Sequence, residues 1–511
     1  MERFSEKVFL QLKMPTEDIP VSDEKRIRLA LEALGYEYVQ IPLSVMRQLY
    51  PLCRNAGFDI TVTLVRRETD WAMVRVEAGD TRKEHYGLAV DYGSTTIVME
   101  LVDLNSGAVI DQARAVNGQT FYGTDILTRI TYTMESPEHR EQMQKVTVDT
   151  FHALLTQLTE NTGIDASKCP IMILSGNTTM IHFLLQLDAW PVFASPYAPV
   201  VSDPGFFWGK ELGMAFEGLV YIIPAASNYI GGDIISGLLK LNIHKQEETG
   251  LFFDIGTNGE LVIGNRDWMM AGAGAAGPAL EGYISRFGMR AAPGAIDSVR
   301  IDGDQLSFTT IGNQKPVGIC GSGIIDLIAQ MRLNGWINIA GEFNPDASSR
   351  IRYLDGEYVA VYALTEESAS GEMLYFSQTD IMQYLDTKAA AYTMVECLLE
   401  SAGVSFDDLS HCYLSGAFPA HSDLESAITI GIFPDLPREK YQVLSNTSLE
   451  GARILLLDRS RLEEAKNIAE NMYCVQFASV PDFLVRMQAA KFIPHTDLSR
   501  YPSIQKQLNQ T

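Results

Sequence analysis

Apolar and polar positions change their period along the chain and predict alternating helices and strands. Residues 23–57, DEKRIRLALEALGYEYVQIPLSVMRQLYPLCRNAG, carry apolar side chains at helical spacing, whereas residues 58–80, FDITVTLVRRETDWAMVRVEAGD, alternate as in a β-hairpin. We therefore predict a small α/β module over residues 1–84. Beyond it, strand-like and helix-like stretches alternate to the C-terminus, a pattern that favours an α/β layered fold over an all-β or all-helical one.

One strand–turn–strand pattern occurs twice. LAVDYGSTTIVMELVDLNSG at 88–107 and LFFDIGTNGELVIGNRD at 251–267 each place an aspartate near the end of an apolar strand, followed by a glycine, a hydroxyl residue and a second strand. Asp91 and Asp254 occupy matching places in the two copies. The C-terminal segment is a candidate for returning to the first half. The repeat predicts two related halves, over residues 85–250 and 251–511.

Both turns of the repeat carry groups that suit phosphate. Glycine allows the backbone to approach a ligand closely, and successive turn N–H groups form a concave anion site. Because a carboxylate would repel phosphate directly, Asp91 and Asp254 are predicted to hold Mg²⁺ through water. If only one copy were present, an ordinary Asp-Gly turn would be the alternative. Because the pattern occurs twice, we favour two hairpins that hold one Mg²⁺–triphosphate from both sides. The predicted phosphate-binding residues are Gly93, Ser94, Thr95, Thr96, Gly256, Thr257, Asn258 and Gly259.

Two further stretches read as a strand, a tight turn and a helix. PIMILSGNTTMIHFLLQ at 170–186 predicts a helix that begins at Asn177 and Thr178, where free N–H groups suit an anion. CYLSGAFPAHSDLESAITIGIFP at 412–434 predicts a similar arrangement around Gly416 and Ala417. Helix capping alone is the alternative for each stretch. The neighbouring His182 and His421 are interpreted as packed or surface histidines.

A glycine-rich segment at 271–297 contains a GxGxxG match. A hairpin-like stretch, SVRIDGDQLSFTTI, follows it instead of the helix and strand of a dinucleotide-binding unit. We interpret the segment as a helix entrance beside the second phosphate hairpin, with Gly274 near the phosphates and Glu281 in reach of a ribose hydroxyl. Close packing is the alternative for the glycines, and helix capping is the alternative for Glu281. A P-loop is excluded because no GxxxxGK[ST] occurs.

Composition limits the classes of partner that we expect and indicates the compartment. With 40 basic and 64 acidic residues the net charge is −24, which disfavours counterion-release binding to nucleic acid or to an anionic membrane. No apolar run approaches the roughly 18 residues that span a bilayer, and the N-terminus lacks a signal-peptide pattern, so we expect a cytoplasmic protein. Six cysteines form no CxxC and no cluster at metal-ligand spacing, so no iron–sulfur cluster is expected in this chain.

The order of these motifs resembles the superfamily of acetate and sugar kinases, heat-shock chaperones and actin. That resemblance implies a duplicated actin-like ATPase fold, with two lobes around a nucleotide cleft, preceded by the small α/β module. Lobe closure about two connecting segments would then accompany ATP binding. On that pattern the phosphate motifs are 88–96 and 253–260, the connecting segments are 221–241 and 424–434, and the adenosine motif includes Gly416 and Ala417.

A closer resemblance is to ATP-dependent reductive activators of corrinoid proteins. It is carried by the ordered set GNTTMIHFLL, ASNYIGGDIISGLL, FDIGTNGELVIGN, GPALEG with GMRAAPGAID, GICGSGIIDLIA and LSGAF. It implies an ATPase that binds the corrinoid protein of a methyl-transfer system and couples ATP to reduction of Co(II) to Co(I). The family's ferredoxin-like cysteine-rich segment has no counterpart here, so a separate low-potential electron donor is expected. The family's usual Gly-Gly-Phe-Gly reads Gly416-Ala417-Phe418-Pro419.

Other activities of the same superfamily stay open at this point. Asp233, in the sequence GGD, is a candidate general base for hydrolysis. A small-molecule kinase would need such a base to face an acceptor pocket, and no recognisable motif supplies one. A nucleotide-gated regulator with little turnover is a further alternative. The sequence leaves open whether the protein is a homodimer.

Overall fold

Short strands alternate with longer helices in the computed structural model, which describes residues 2–256, 258–274, 282 and 284–509. The strands are β1 Ser5–Gln11, β2 Val39–Gln40, β3 Asp59–Arg66, β4 Trp71–Ala78, β5 Tyr86–Tyr92, β6 Thr96–Asp103, β7 Val109–Val116, β8 Ile171–Gly176, β9 Gly205–Trp208, β10 Leu219–Ile222, β11 Thr249–Ile255, β12 Gly259–Gly264, β13 Met269–Gly274, β14 Ala295–Asp302, β15 Gln305–Thr310, β16 Gly318–Ile319, β17 Ile351–Leu354, β18 Glu357–Ala363, β19 Leu374–Ser377, β20 Leu409–Ser415, β21 Tyr441–Val443 and β22 Tyr473–Val475. The α-helices are α1 Asp23–Ala33, α2 Leu43–Asn55, α3 Ile126–Glu135, α4 Pro137–Thr162, α5 Thr178–Leu184, α6 Trp190–Phe193, α7 Gly232–Leu241, α8 Gly321–Leu333, α9 Gln378–Ala402, α10 Ala417–His421, α11 Leu424–Ile430, α12 Thr447–Leu457, α13 Arg461–Asn471, α14 Phe483–Ala490 and α15 Pro502–Leu508.

The N-terminal region is the small α/β module that the apolar pattern predicts. Its sheet has the order β1-β3-β4-β2, and β3 pairs with β4 in antiparallel fashion as the alternating stretch requires. Helix α1 buries Ile27 and Leu31, and helix α2 buries Val45 and Leu49 in the same apolar cluster. The helical spacing of these residues therefore reflects their packing in the core of the module.

The chain forms two compact units, and the first comprises Met1–Asn242 and Thr447–Asn471. Besides the N-terminal sheet, this unit contains a six-stranded sheet of order β7-β6-β5-β8-β10-β9. Strand β5 is antiparallel to β6 and parallel to β8, which is in turn parallel to β10. The parallel strands are almost entirely buried, as is usual for strands covered on both faces.

The second unit comprises Ile243–Asn446 and Met472–Thr511. Its main sheet has the order β21-β20-β11-β12-β13-β22. Strand β11 is antiparallel to β12 and parallel to β20, so the strand directions around β11 repeat those around β5 in the first unit. This repetition confirms the predicted α/β fold with duplicated actin-like halves.

The helix that follows the adenosine motif differs from the prediction. Residues 424–434 were expected to form the second connecting helix, but α11 packs against α8 inside the second unit. It is α12 that belongs to the first unit, where it packs against α7 and β5. A Cβ atom at Gly451 would lie 1.8 Å from the carbonyl oxygen of Ser236, so only glycine allows α12 to pack this closely on α7.

His85 makes the stability of the first unit pH-dependent. Burial, reinforced by the charges of Lys7 and Arg3, lowers the pKa of His85 to about 4. Because the unfolded chain takes up this proton near pH 6.5 and the folded chain does not, stability falls as the pH drops from about 6.5 to 4. At pH 5 the loss attributable to His85 is about 2 kcal/mol.

We expect His85→Gln to show a smaller loss of unfolding free energy than the wild type between pH 7 and pH 5. Urea unfolding at both pH values measures the difference. His495, whose pKa is also lowered to about 4, acts in the same direction and is present in both proteins, so it cancels in the comparison. Equal pH dependence of the two proteins would contradict the assignment to His85.

In the part of the chain that the structure describes, no helix is both long and apolar enough to cross a membrane.

Candidate functional site

Asp91 lies at the end of a strand whose following turn is held by buried side chains. It is the penultimate residue of β5 and is partly exposed. Asn117 donates from its side chain to the carbonyl oxygen of Gly93 at 2.9 Å and from its backbone N–H to that of Thr95 at 2.8 Å. Arg129 donates to the carbonyl oxygen of Ser94 at 2.6 Å. All three turn carbonyls are thus fixed by protein donors, and sequence reasoning had not assigned a role to Asn117 or Arg129.

A serine far away in sequence contacts the Asp91 carboxylate. The hydroxyl of Ser448, near the start of α12, donates to Asp91 Oδ1 at 2.8 Å. The Ser448 and Ser175 hydroxyl oxygens are 2.9 Å apart, and Ser175 is also 3.1 Å from the carbonyl oxygen of Gly232. Sequence analysis missed Ser448. A helix with small residues and a glycine in its middle, as in 447–452, was the available signal of close packing.

Asn177 and Thr178 lie at the same sheet edge as Asp91. Asp91 pairs with Ser175 in the parallel register of β5 and β8, so the turn after β8 begins beside it. Asn177 caps α5 by accepting from the Thr179 N–H at 3.0 Å, and Thr178 donates to the carbonyl oxygen of Ser227 at 2.8 Å. Both side chains are buried, and these contacts are those of capping and tethering.

Asp233 lies in the first turn of α7, near Asn177. A Cβ atom at Gly231 would be 2.7 Å from the Asn177 Cα and 2.8 Å from Asp233 Oδ1, which makes the two residues neighbours. Asp233 Oδ1 also accepts the N–H of Ile234 at 2.9 Å. The carboxyl ends of β5, β8 and β10 therefore collect Asp91, Asn177 and Asp233 at one edge, the usual place for a ligand in such sheets.

His182 is a structural residue, in agreement with the interpretation from the sequence. It is fully buried, and its Nε2 accepts the N–H of Val200 at 3.1 Å. Its Nδ1 therefore donates to the carbonyl oxygen of Thr178 at 2.8 Å. Burial lowers the pKa of His182, consistent with a neutral ring. His421 is the last residue of α10.

In the second unit, Asp254 takes the place that Asp91 has in the first. It is the penultimate residue of β11 and is partly exposed. The N–H of Gly256 donates to the carbonyl oxygen of Asn258 at 2.9 Å, and Gly259 opens β12. Thr257 lies outside the described residues. Glu260, which sequence analysis did not single out, pairs directly with Asp254 across the hairpin and is buried, so two carboxylates share one face.

Gly416 is brought against Asp254 by the parallel pairing of β11 and β20. Asp254 is in register with Ser415, and Gly416 follows with a φ of 102°. A Cβ atom there would lie 2.2 Å from the carbonyl oxygen of Ile255 and 2.9 Å from Asp254 Oδ1. The next residue, Ala417, begins α10. The second phosphate hairpin and the predicted adenosine turn are therefore adjacent.

The glycine-rich segment does not begin as a helix entrance. Gly272 and Gly274 are residues of β13, the strand beside β12. A Cβ atom at Gly274 would lie 2.2 Å from the Met394 sulfur, so close packing against α9 explains this glycine. The helix itself was expected after Gly274, and residues 275–281 lie outside the described part of the chain. Glu281 lies outside the described residues.

Each of the two aspartates is a donor of the kind that suits a Mg²⁺ ion keeping most of its water. Asp91 and Asp254 are partly exposed carboxylates at strand ends, and a cradle around Asp254 has space only because residue 416 has no Cβ. Among the described residues, no three His, Cys, Asp or Glu side chains are grouped to chelate a metal. Mg²⁺ is typically bound by one or two carboxylates together with water and phosphate oxygens.

The cysteines are mostly buried thiols. Five of the six are buried and Cys474 is partly exposed. Burial raises the pKa of Cys169 to about 12 and also raises the pKa of Cys53, Cys397 and Cys412. Such thiols carry little thiolate at neutral pH and are poor nucleophiles.

Three family profiles together match most of residues 1–505. The profile described as the C-terminal domain of RACo, the ASKHA domain, matches residues 248–505, the RACo middle region matches residues 86–246, and the RACo linker region matches residues 1–83.

Individual relatives agree with these profiles. The corrinoid activation enzyme RamQ of Eubacterium limosum is 29% identical over 419 residues, 80% of this chain and 70% of that protein. The [Co(II) methylated amine-specific corrinoid protein] reductase of Methanosarcina barkeri is 24% identical over 420 residues, covering 76% and 73% respectively. A solved structure described as a reductive activator for corrinoid, iron-sulfur protein superposes with a TM-score of 0.88 at 33% identity, covering 98% of this chain and 81% of that chain.

Proposed function

This chain belongs to the RACo family, and on that premise we propose that it activates a corrinoid protein by binding and hydrolysing ATP. The family resemblance inferred from the motifs is confirmed. The observation that carries the proposal is the repeated carboxylate. Asp91 and Asp254 end matching strands in the two units of a chain whose relatives are named for corrinoid activation and corrinoid-protein reduction.

The two hairpins supply the groups that ATP and Mg²⁺ require. We propose that Asp91 and Asp254 orient water held by Mg²⁺, and that the turn N–H and hydroxyl groups bind phosphate oxygens. Asp233 is proposed as the residue that orients the attacking water. The proposed phosphate contacts are Gly93, Ser94, Thr95, Thr96, Asn177, Thr178, Gly256, Thr257, Asn258 and Gly259, and the proposed adenosine contacts are Gly416, Ala417 and Glu281.

ATP acts through a difference in affinity for two states of the complex. Reduction of Co(II) to Co(I) takes one electron, which a separate low-potential donor supplies, while ATP and water give ADP and phosphate. A ligand shifts such an equilibrium only by binding one state more tightly than the other. ATP must therefore favour the state in which the corrinoid accepts the electron, and hydrolysis returns the protein to its starting state.

Absorption spectroscopy of a corrinoid protein tests the proposal. A candidate corrinoid protein in the Co(II) state is mixed with this chain, Mg²⁺, ATP and titanium(III) citrate under exclusion of oxygen. We expect Co(I) to form only when both the chain and ATP are present, and phosphate release to increase when the corrinoid protein is added. Omission of ATP and replacement by a non-hydrolysable analogue are the controls.

Other results identify the competing functions. Formation of ADP that depends on a small-molecule acceptor, without Co(I), would indicate a kinase. Nucleotide binding without phosphate release or Co(I) would indicate a nucleotide-gated regulator. Either result contradicts corrinoid activation by ATP hydrolysis.

A further inference from the structure

Three buried serines lie around the contact between Asp91 and α12. Ser175 is the penultimate residue of β8, at the register position opposite Asp91, Ser236 lies on α7, and Ser448 lies on α12. Their exposed fractions are 0%, 0% and 6%, so bulk water does not compete strongly for their hydroxyl groups. Each hydroxyl therefore needs a protein partner.

The Ser448 and Ser175 hydroxyl groups have two hydrogens between them but make three short contacts near Asp91. Ser448 is 2.8 Å from Asp91 Oδ1 and 2.9 Å from the Ser175 oxygen, and Ser175 is 3.1 Å from the carbonyl oxygen of Gly232. An ionised carboxylate only accepts, so Ser448 must donate to Asp91. The Ser448 oxygen can then accept the Ser175 hydrogen, and this arrangement is favoured because hydrogen bonds in a chain that ends on a charge strengthen one another.

The backbone of α12 is held by contacts that do not involve Asp91. Ser236 donates to the carbonyl oxygen of Ser448 at 2.7 Å, and Gly451 allows the close approach of α12 to α7. Further along the helix, Arg453 pairs with the buried Glu100 of β6 at 3.1 Å. Ser448 therefore presents its hydroxyl to Asp91 from a fixed position.

We propose that Ser448 is a positioning residue for Asp91 and that Ser175 orients the Ser448 hydroxyl. The hydrogen bond from Ser448 restricts rotation of the Asp91 carboxylate, so that the carboxylate faces hydrated Mg²⁺ in one orientation. Groups that orient a metal-binding side chain typically change metal affinity 10- to 100-fold when they are removed. This inference rests on the proposed function, because it assumes that Asp91 serves Mg²⁺–ATP.

Alanine variants of the three serines separate positioning from general stability. ATP affinity is measured by calorimetry with excess Mg²⁺ and again with excess chelator, and melting temperature is recorded for each variant. We expect Ser448→Ala to weaken Mg²⁺–ATP binding about 10-fold and to leave metal-free ATP binding unchanged. Ser175→Ala should weaken Mg²⁺–ATP binding about 3-fold, since it acts one hydrogen bond further away.

Ser236→Ala is the matched control. It removes a buried serine hydrogen bond to the same helix without touching Asp91, and the close packing at Gly451 and the Arg453–Glu100 pair still hold α12, so it should lower the melting temperature and leave both ATP affinities unchanged. If Ser448→Ala does not fold, Ser448→Cys replaces it, because a thiol of similar size is a weak donor.

Several outcomes would overturn the inference. Wild-type affinity in Ser448→Ala, or an equal loss with and without Mg²⁺, would show that Ser448 does not position Asp91 for the metal. If the wild type binds no ATP at all, the proposed function fails, and crystal structures of wild type and Ser448→Ala decide the positioning separately. An unchanged Asp91 rotamer in the variant would then overturn it, and a displaced carboxylate would support it.

Discussion

Asp254→Ala is expected to weaken ATP binding in the presence of Mg²⁺ about 100-fold and to reduce phosphate release by at least as much. Asp254 is partly exposed at the end of β11, so its removal leaves no cavity in the core. It pairs with the buried Glu260 across the hairpin. The melting temperature should stay close to that of the wild type, because the substitution removes no core packing.

Asp267→Ala is the matched control for this experiment. Asp267 is a carboxylate of the same unit whose side chain is 75% exposed in the turn after β12. Calorimetric titration with Mg²⁺–ATP and a phosphate-release assay on both variants measure the effect. An Asp254→Ala protein that hydrolyses ATP at the wild-type rate would contradict the assignment of this residue to the metal.

Gly416→Ala is expected to remove ATP binding and to destabilise the second unit by about 3 kcal/mol. The residue has a φ of 102°, which strains any residue with a Cβ, and the new methyl group would lie 2.2 Å from the carbonyl oxygen of Ile255. The same methyl group would press on Asp254 Oδ1, so the damage extends to the predicted metal site.

Gly356→Ala separates the effect of backbone strain from the effect of the steric clash. Gly356 has a φ of 95° in the turn between β17 and β18, but a Cβ there meets nothing within 4 Å. Gly356→Ala should lower the free energy of unfolding by the cost of backbone strain alone, about 1 kcal/mol, and should have no effect on ATP binding. Denaturant unfolding and calorimetry on the pair give the comparison. Equal destabilisation by the two substitutions would contradict the close approach of the 416 turn to Asp254.

Local patterns were the part of the site that the sequence could predict. The strand, the aspartate and the glycine of each hairpin lie within a few residues, so their geometry follows from alternation and turn chemistry. The N-terminal module and both Asp-containing hairpins have the structure expected of them. The GxGxxG match was less informative, because a glycine that packs against Met394 cannot be told by residue type alone from one that lies near a phosphate.

Long-range contacts were the part of the site that the sequence could not predict. Ser448 is 357 positions from Asp91, and no period or motif in a single sequence links them. The sequence did not single out α12, and only its packing against α7 and β5 places it in the first unit. A helix is placed by the surface that it buries, and several amphipathic segments compete for that surface.

The sequence by itself determined the α/β class, the duplication, the two aspartate turns and the family, because each depends on residues that are close in the chain or on the order of motifs. Only the tertiary structure decided which side chains surround each aspartate. Ser448 and Ser175 reach Asp91, and Glu260 and Gly416 reach Asp254, because strand register and helix packing bring distant segments together. Those neighbours set the orientation and the charge environment of the carboxylates, on which the proposed Mg²⁺ binding depends.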